Sequence, residues 1–349
     1  MKNRLFYFLL CFLLALAMQS CGKMSEDDIK KKTETGVVLV QNSSYFELVM
    51  SNGESLYFSS YDEKDGFKDM TGNKDSIKSV TSYGTGFFIS GKGEIVTNNH
   101  VVAANIKEKD IIRDMNKLFN NLKNSLKQKY SQYSASLNQL SITINQKQYY
   151  NEDYAYEYTL AATIVEEMKE MERLYNALDD IDARDSELKY HSEISIAYND
   201  THVTNTSDFI SCVVIKTDVD HDLAIIQLKN KKTPEDKFIF SIEDEDPLEN
   251  IAWNETKSKN DKLFMTGYNL GPILAITEEG VKAQFNQGTI SQKTDERIMY
   301  SIPALPGSSG SPVVNHNGQL VAINYAGLSG TQNFNYGIRV KYLKDLIAK

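Results

Sequence analysis

The chain has 349 residues, of which 41% are hydrophobic and 24% are charged, and its formal net charge is −9. A chain of this length can bury one large core or the cores of two lobes. The negative net charge, with no clustered basic stripe, argues against a nucleic-acid partner, because phosphate recognition depends on clustered cations.

The N-terminus has the pattern of an export signal. Lys2 and Arg4 precede an apolar run from Leu5 to Ala17 that is too short to cross a bilayer comfortably. We therefore predict a signal peptide over residues 1–20. No second hydrophobic stretch approaches spanning length, so the remainder is expected to be an exported soluble protein.

Small residues lead into Cys21 and resemble the lipobox of bacterial lipoproteins. This resemblance implies cleavage before Cys21, lipidation of its thiol, and a lipidated linker over 21–35. Ordinary signal-peptidase cleavage is the alternative. The expected location is the bacterial cell envelope, anchored to the outer membrane on its periplasmic or surface face. Cys212 is then the one cysteine left unmodified, so no intramolecular disulfide is expected.

Short alternating stretches from Gly36 to about residue 100 predict β-strands, with Ser51-Asn52-Gly53 as a hairpin turn. The pattern changes at Lys107. Apolar residues recur every three or four positions up to Leu137 and again from Leu160 to Leu178, which predicts a helical hairpin inserted over about 105–188.

Strand-like sequence resumes after this insertion and ends in a predicted helix from Val340 to Ile347. An acidic stretch from Lys229 to Lys262 contains few strand signals and is a candidate linker between two β-rich regions.

Three separated motifs carry residue types suited to acyl transfer. Ser309 lies between glycines in a Gly307-to-Pro312 loop, where a tight turn can expose a hydroxyl and aim backbone N–H groups at a developing oxyanion. His100 follows a β segment and can accept the serine proton near pH 7. Asp222 enters an apolar strand and can orient an imidazolium.

Their order along the chain resembles the chymotrypsin-like serine proteases, and within them the HtrA/Deg type. The motifs that carry the resemblance are Gly84–Ile89, Thr97–Val102, Asp222–Ile226, Gly307–Pro312, Asn317–Asn324 and Tyr336–Val340. The resemblance implies a mainly β protease domain over 36–349 with two six-stranded antiparallel β-barrels, the first over about 36–228 and the second over about 262–349.

The resemblance also implies the role of each site residue. His100 would be the general base and then acid, Asp222 would fix its tautomer, and Ser309 would attack the peptide carbonyl. The N–H groups of Gly307 and Ser309 would form the oxyanion hole. Asp220 and His221 are alternative assignments, but the Asp-Leu-Ala sequence favours Asp222.

The substrate pocket is expected around Pro303 and Ala304, with Asn324, Tyr325 and Ala326 as a wall. None of these residues is a carboxylate, so we expect small or apolar P1 residues in a protein or peptide substrate. No metal or other cofactor is expected.

The sequence departs from the family at several places. Ser308 stands where digestive relatives have an aspartate, so activation by a newly cleaved N-terminus is not expected, and no PDZ domain is expected after Val340. The helical insertion is expected to contact substrate or another subunit, or else to pack only on itself. Two other functions remain open: a catalytically silent peptide-binding lipoprotein, and a structural lipoprotein assembled through the hairpin.

Overall fold

The computed structural model describes residues 24–104, 106–249, 262–327 and 334–349. The predicted signal peptide and Cys21 lie outside these ranges. The chain divides into two compact units, the first formed by Met1–Ser43, Thr81–Ala103 and Ser192–Lys349, and the second by Ser44–Val80 and Ala104–His191.

The elements follow the order that the sequence predicts. The N-terminal elements are α1 (Glu26–Gly36), β1 (Val37–Val49), β2 (Ser55–Phe58), β3 (Ser60–Asp62), β4 (Gly66–Lys68), β5 (Val80–Phe88), β6 (Glu94–Thr97) and α2 (Asn99–Val102). The middle elements are α3 (Glu108–Tyr149), α4 (Ala155–Asp179), β7 (Glu187–Tyr198), β8 (Ile210–Asp218) and β9 (Leu223–Leu228). The C-terminal elements are β10 (Lys262–Gly267), α5 (Pro272–Ala275), β11 (Ile276–Thr277), β12 (Gly280–Val281), β13 (Gln284–Lys293), β14 (Arg297–Tyr300), β15 (Pro312–Asn315), β16 (Leu320–Gly327), β17 (Asn335–Arg339) and α6 (Val340–Ala348).

Two closed six-stranded antiparallel barrels form the β structure and confirm the predicted fold class. The first has the order β1-β5-β6-β9-β8-β7, closed by pairing of β1 with β7, and β2 adds to the edge of β1. The second has the order β10-β13-β14-β17-β16-β15. A bulge between Asn324 and Ala326 interrupts the β16–β17 register, and Tyr325 occupies it.

The first unit has a continuous apolar core. One buried cluster joins residues of both barrels, including Val37, Phe87, Phe264 and Val314. Helix α6 contributes buried Leu343 to the same cluster. Apolar burial of this extent supplies the main stabilising term for a chain without a disulfide among the described residues.

Residues 21–35 differ from the expected linker, because helix α1 begins at Glu26. Ser25 caps the helix by accepting from the Asp28 N–H at 3.1 Å, and acidic residues in the first turn favour its dipole. Ile29 is 1% exposed, and the hydroxyls of Thr33 and Thr266 lie 2.7 Å apart. Burial of one face therefore makes this segment part of the folded unit.

The second unit contains the predicted helical hairpin. Its base packs in a buried cluster of Phe46, Leu48, Phe58, Tyr61, Ile111, Met115, Phe119 and Ala183. Helix α3 continues to Tyr149, beyond the predicted end of its apolar stripe, because no glycine or proline interrupts the sequence. Its 42 residues correspond to about 63 Å.

Ion pairs connect the two helices of the hairpin. Lys123 contacts Asp179 at 3.2 Å near the base, and Lys147 contacts Glu157 at 2.7 Å near the tip. Between residues 120 and 170 no side chain is buried. Across the four described ranges, no helix combines the length and apolarity that a membrane span requires.

Candidate active site

The ends of two neighbouring strands bring His100 and Asp222 together. Strand β6 pairs with β9 in the register Thr97↔Ala224, which places the following helix α2 beside the start of β9. The Nδ1 atom of His100 lies 2.7 Å from Asp222 Oδ2, and the backbone N–H of His100 donates to Oδ1 at 2.9 Å. A carboxylate only accepts, so the ring proton lies on Nδ1 and leaves Nε2 as the acceptor.

The backbone of Asp222 is held in an uncommon conformation. Its φ is 51°, in the left-handed region that aspartate tolerates better than most residues. Its carbonyl accepts from the Asn99 N–H at 3.1 Å and from Asn98 Nδ2 at 2.9 Å. These bonds latch the β8–β9 turn to the segment that carries His100.

The Ser309 loop docks on strand β5 of the first barrel. The Thr85 N–H donates to the Ser309 carbonyl at 2.8 Å, and the Thr85 hydroxyl donates to the Gly307 carbonyl at 2.9 Å. Gly310 has a φ of +87°, and a Cβ there would lie 2.1 Å from the Thr85 carbonyl oxygen. Only glycine fits this approach, which explains the Gly-Ser-Ser-Gly sequence.

The hydroxyl of Ser309 points to a neighbouring carbonyl. Its Oγ donates to the Tyr325 carbonyl at 3.4 Å, and in the described part of the chain it has no hydrogen bond to His100. Rotation about a single side-chain bond changes this orientation, and catalytic hydrogen bonds are commonly long or misaligned before substrate binds.

The two predicted oxyanion donors are unpaired. Among the described residues, neither the Gly307 N–H nor the Ser309 N–H has an acceptor. The Leu270 N–H donates to the Pro306 carbonyl at 2.6 Å, and this carbonyl shares a peptide plane with the Gly307 N–H. Because the two groups of a trans peptide point in opposite directions, this bond fixes the direction of the Gly307 donor.

The five residues predicted to line the substrate pocket have different environments. Pro303 is exposed, and Ala304 is partly buried against the core of the second barrel. Asn324 is 2% exposed, while the Tyr325 hydroxyl accepts from Arg297 at 2.9 Å. Ala326 lies in β16, and its side chain is outside the described residues. Their substrate-binding role stays a prediction.

A second histidine–carboxylate pair lies in the same turn. His221 Nδ1 lies 3.1 Å from Asp218 Oδ2, and the His221 ring stacks on Tyr342 at a centroid distance of 3.9 Å. Asp218 also contacts Lys349 at 3.3 Å. These contacts attach His221 to the C-terminal helix, whereas His100 is the histidine bonded to Asp222.

The sequence did not single out Thr85 and Tyr300 as site residues. Thr85 occurs within the recognised Gly-Thr-Gly motif, so its buried position between glycines was an available signal, whereas Tyr300 lies in a plain strand without one. The part of the chain that the structure describes contains no group of three or more His, Cys, Asp or Glu residues able to hold a metal ion.

Two closed barrels, with these residues at their strand ends, define the chymotrypsin-like class of serine protease fold. Residues 182–323 match the family model described as a trypsin-like peptidase domain, so the chain contains a domain of this kind. The match begins after the helical hairpin and therefore includes Asp222 and Ser309 but not His100. No curated protein matches the sequence.

Solved structures with a similar fold include two bacterial proteases. The serine endoprotease from Yersinia pestis is 13% identical, with a TM-score of 0.43, and the match covers 93% of this chain and 66% of that chain. The HtrA-type protease AlgW with decapeptide is 14% identical, with a TM-score of 0.46, and the match covers 93% and 67%. This chain thus spans about two thirds of their length.

Proposed function

We propose that this protein is a serine endopeptidase that uses His100, Asp222 and Ser309 as its catalytic triad. The observation that carries the proposal is the His100–Asp222 geometry, in which both carboxylate oxygens are engaged and Nε2 is left as a base. The unpaired donors at Gly307 and Ser309 support it further.

In this mechanism, Ser309 Oγ attacks the peptide carbonyl while His100 Nε2 takes its proton. Asp222 stabilises the imidazolium and does not itself take the proton. The N–H groups of Gly307 and Ser309 stabilise the oxyanion. His100 then donates its proton to the leaving amine, and water hydrolyses the acyl-enzyme by the reverse sequence of proton transfers.

A fluorophosphonate probe tests the proposal against a catalytically silent peptide-binding protein. We expect the probe to label the wild type and not the Ser309→Ala variant, which retains the loop because the Ser309 backbone makes its contact with Thr85. Cleavage of a casein substrate should follow the same pattern. Equal labelling of both proteins, or of neither, would reject a Ser309 nucleophile.

We also propose that substrates carry small or apolar P1 residues, because the residues predicted to form the pocket are uncharged. A peptide library with every P1 residue, analysed for the products of wild type and Ser309→Ala, tests this directly. Selective cleavage after arginine or lysine would contradict it.

We propose that Cys21 is lipidated and anchors the protein in the bacterial envelope. The basis is the sequence of the N-terminal segment. Metabolic labelling with a palmitate analogue should mark the wild type, and a Cys21→Ser variant should lose both the label and membrane fractionation. A labelled Cys21→Ser variant would contradict the assignment.

A further inference from the structure

The direction of the Ser309 N–H depends on the peptide to which it belongs. The carbonyl of that peptide is Ser308 O, which accepts from Asn324 Nδ2 at 3.0 Å. In a planar trans peptide the N–H points opposite to the C=O. The Asn324 side chain therefore holds the Ser309 N–H toward the side where an oxyanion would form.

Chemistry fixes the orientation of the Asn324 amide. The Ser308 hydroxyl donates to the Leu305 carbonyl at 2.7 Å, so toward Asn324 it can only accept, at 3.1 Å. The amide nitrogen must therefore face Ser308. Its oxygen then faces the Tyr300 hydroxyl at 2.7 Å, and this hydroxyl is the donor.

Burial keeps this arrangement free of competing water. Asn324 is 2% exposed and Tyr300 is fully buried. Burial also raises the pKa of Tyr300 well above its usual value, so its hydroxyl remains a donor at every working pH. The backbone of Asn324 adds two bonds to the loop, from the Gly310 N–H at 2.7 Å and to the Ser311 carbonyl at 2.9 Å.

We infer that Asn324, oriented by Tyr300, is a positioning residue for the Ser309 oxyanion donor. Its side chain acts from beneath the loop and has no exposed face for a substrate, in contrast to the pocket-wall role that the sequence predicted. The inference rests on the proposed peptidase function, because an oxyanion donor matters only if Ser309 is acylated.

Two variants remove successive parts of this chain of contacts. Tyr300→Phe removes only the hydroxyl, and Asn324→Leu removes the amide while keeping a side chain of similar shape. Loss of one oxyanion donor lowers kcat by about 100-fold to 1,000-fold. We expect about a 100-fold fall in kcat for Asn324→Leu and about a tenfold fall for Tyr300→Phe, with KM within about threefold of wild type, because the donor acts in the transition state.

Tyr268→Phe provides a matched control. Tyr268 is another fully buried tyrosine of the same unit, but its hydroxyl donates to the Val37 carbonyl at 3.4 Å and its side chain has no bond to the Ser309 loop. We expect this variant to retain the kcat of wild type. Thermal unfolding of all variants shows that each is folded at the assay temperature.

The measurement is kcat and KM on a peptide ester cleaved by the wild type. Falls in kcat at constant KM, absent from Tyr268→Phe, support the inference, and Tyr300→Phe decides alone if Asn324→Leu does not fold. Unchanged kcat, or a rise in KM alone, overturns it while leaving the peptidase intact. A wild type that neither cleaves esters nor reacts with fluorophosphonate removes the proposed function, and this inference with it.

Discussion

Asp222→Asn is expected to abolish nearly all activity while leaving the fold in place. In the wild type, Asp222 accepts from the His100 backbone N–H at 2.9 Å and from Nδ1 at 2.7 Å. The new amide oxygen can keep the backbone bond. Its NH₂ group then faces Nδ1, which must become an acceptor, so the ring proton moves to Nε2.

A protonated Nε2 cannot take the proton of Ser309. An aspartate-to-asparagine change of this kind lowers kcat by about 10⁴, which corresponds to about 5.5 kcal/mol of transition-state stabilisation. Ground-state binding does not involve the carboxylate, so KM should stay within a few-fold. Steady-state hydrolysis of a peptide ester gives both constants.

Asp218→Asn is the matched control, because Asp218 makes the same two bonds to His221 that Asp222 makes to His100. We expect near wild-type kcat from this variant. A loss below tenfold in Asp222→Asn, or equal losses in both variants, would refute the assignment of Asp222 as the orienting carboxylate. Equal losses would show that the β8–β9 turn as a whole is being disturbed.

The control also has its own signature in stability. Burial raises the pKa of Asp218, but hydrogen bonds from His221 and Lys349 outweigh burial and hold the pKa below its usual value. Such a group stabilises the fold above its unfolded pKa of about 3.9, and this contribution is lost as the pH falls through the folded pKa. Urea unfolding should therefore show a wild-type advantage over Asp218→Asn at pH 6 that shrinks below pH 4.

Three further outcomes are expected. Asp246→Ala should lower the free energy of unfolding by about 3 kcal/mol, because it leaves the guanidinium of Arg339 buried without its closest shielded partner, whereas Glu249→Gln at an exposed partner should cost under about 1 kcal/mol; equal urea midpoints would contradict this. Burial raises the pKa of Cys212 to about 12, so iodoacetamide should modify it slowly in the native protein at pH 8 and rapidly in urea, and rapid native labelling would contradict its burial. Deleting 132–169 with a short glycine linker should leave the melting temperature within a few degrees, because the segment contains no buried side chain, and a large loss would show otherwise.

Local pattern was sufficient for most of the fold. Alternating residues predicted the hairpin of β1 and β2 around Asn52, and three-to-four spacing predicted both long helices. Helix α1 was missed because its apolar face has few residues, of which Ile29 is the central one. Its burial depends on contacts with β10, more than 200 residues away in the chain, and no local pattern contains that information.

The candidate triad could be proposed from the sequence because each member lies in a motif with its own local signal. Asn324 shows the limit of this reasoning. Its position after a strand fitted a pocket wall, but the side chain is buried and bonded to Ser308. Which face of a strand lies inward near a bulge depends on the register of β16 and β17, and a one-residue irregularity there redirects the side chains.

The position of the hairpin also has a consequence for how the chain folds. His100 and Asp222 are 122 residues apart, yet β6 and β9 pair directly, so the first barrel cannot close until the whole insertion has left the ribosome. Loop-closure entropy rises by only about 0.6 kcal/mol for each doubling of length, so the insertion is tolerated thermodynamically. The order of events is more constrained: two long helices with local contacts form early, and the distant strands meet around them afterwards.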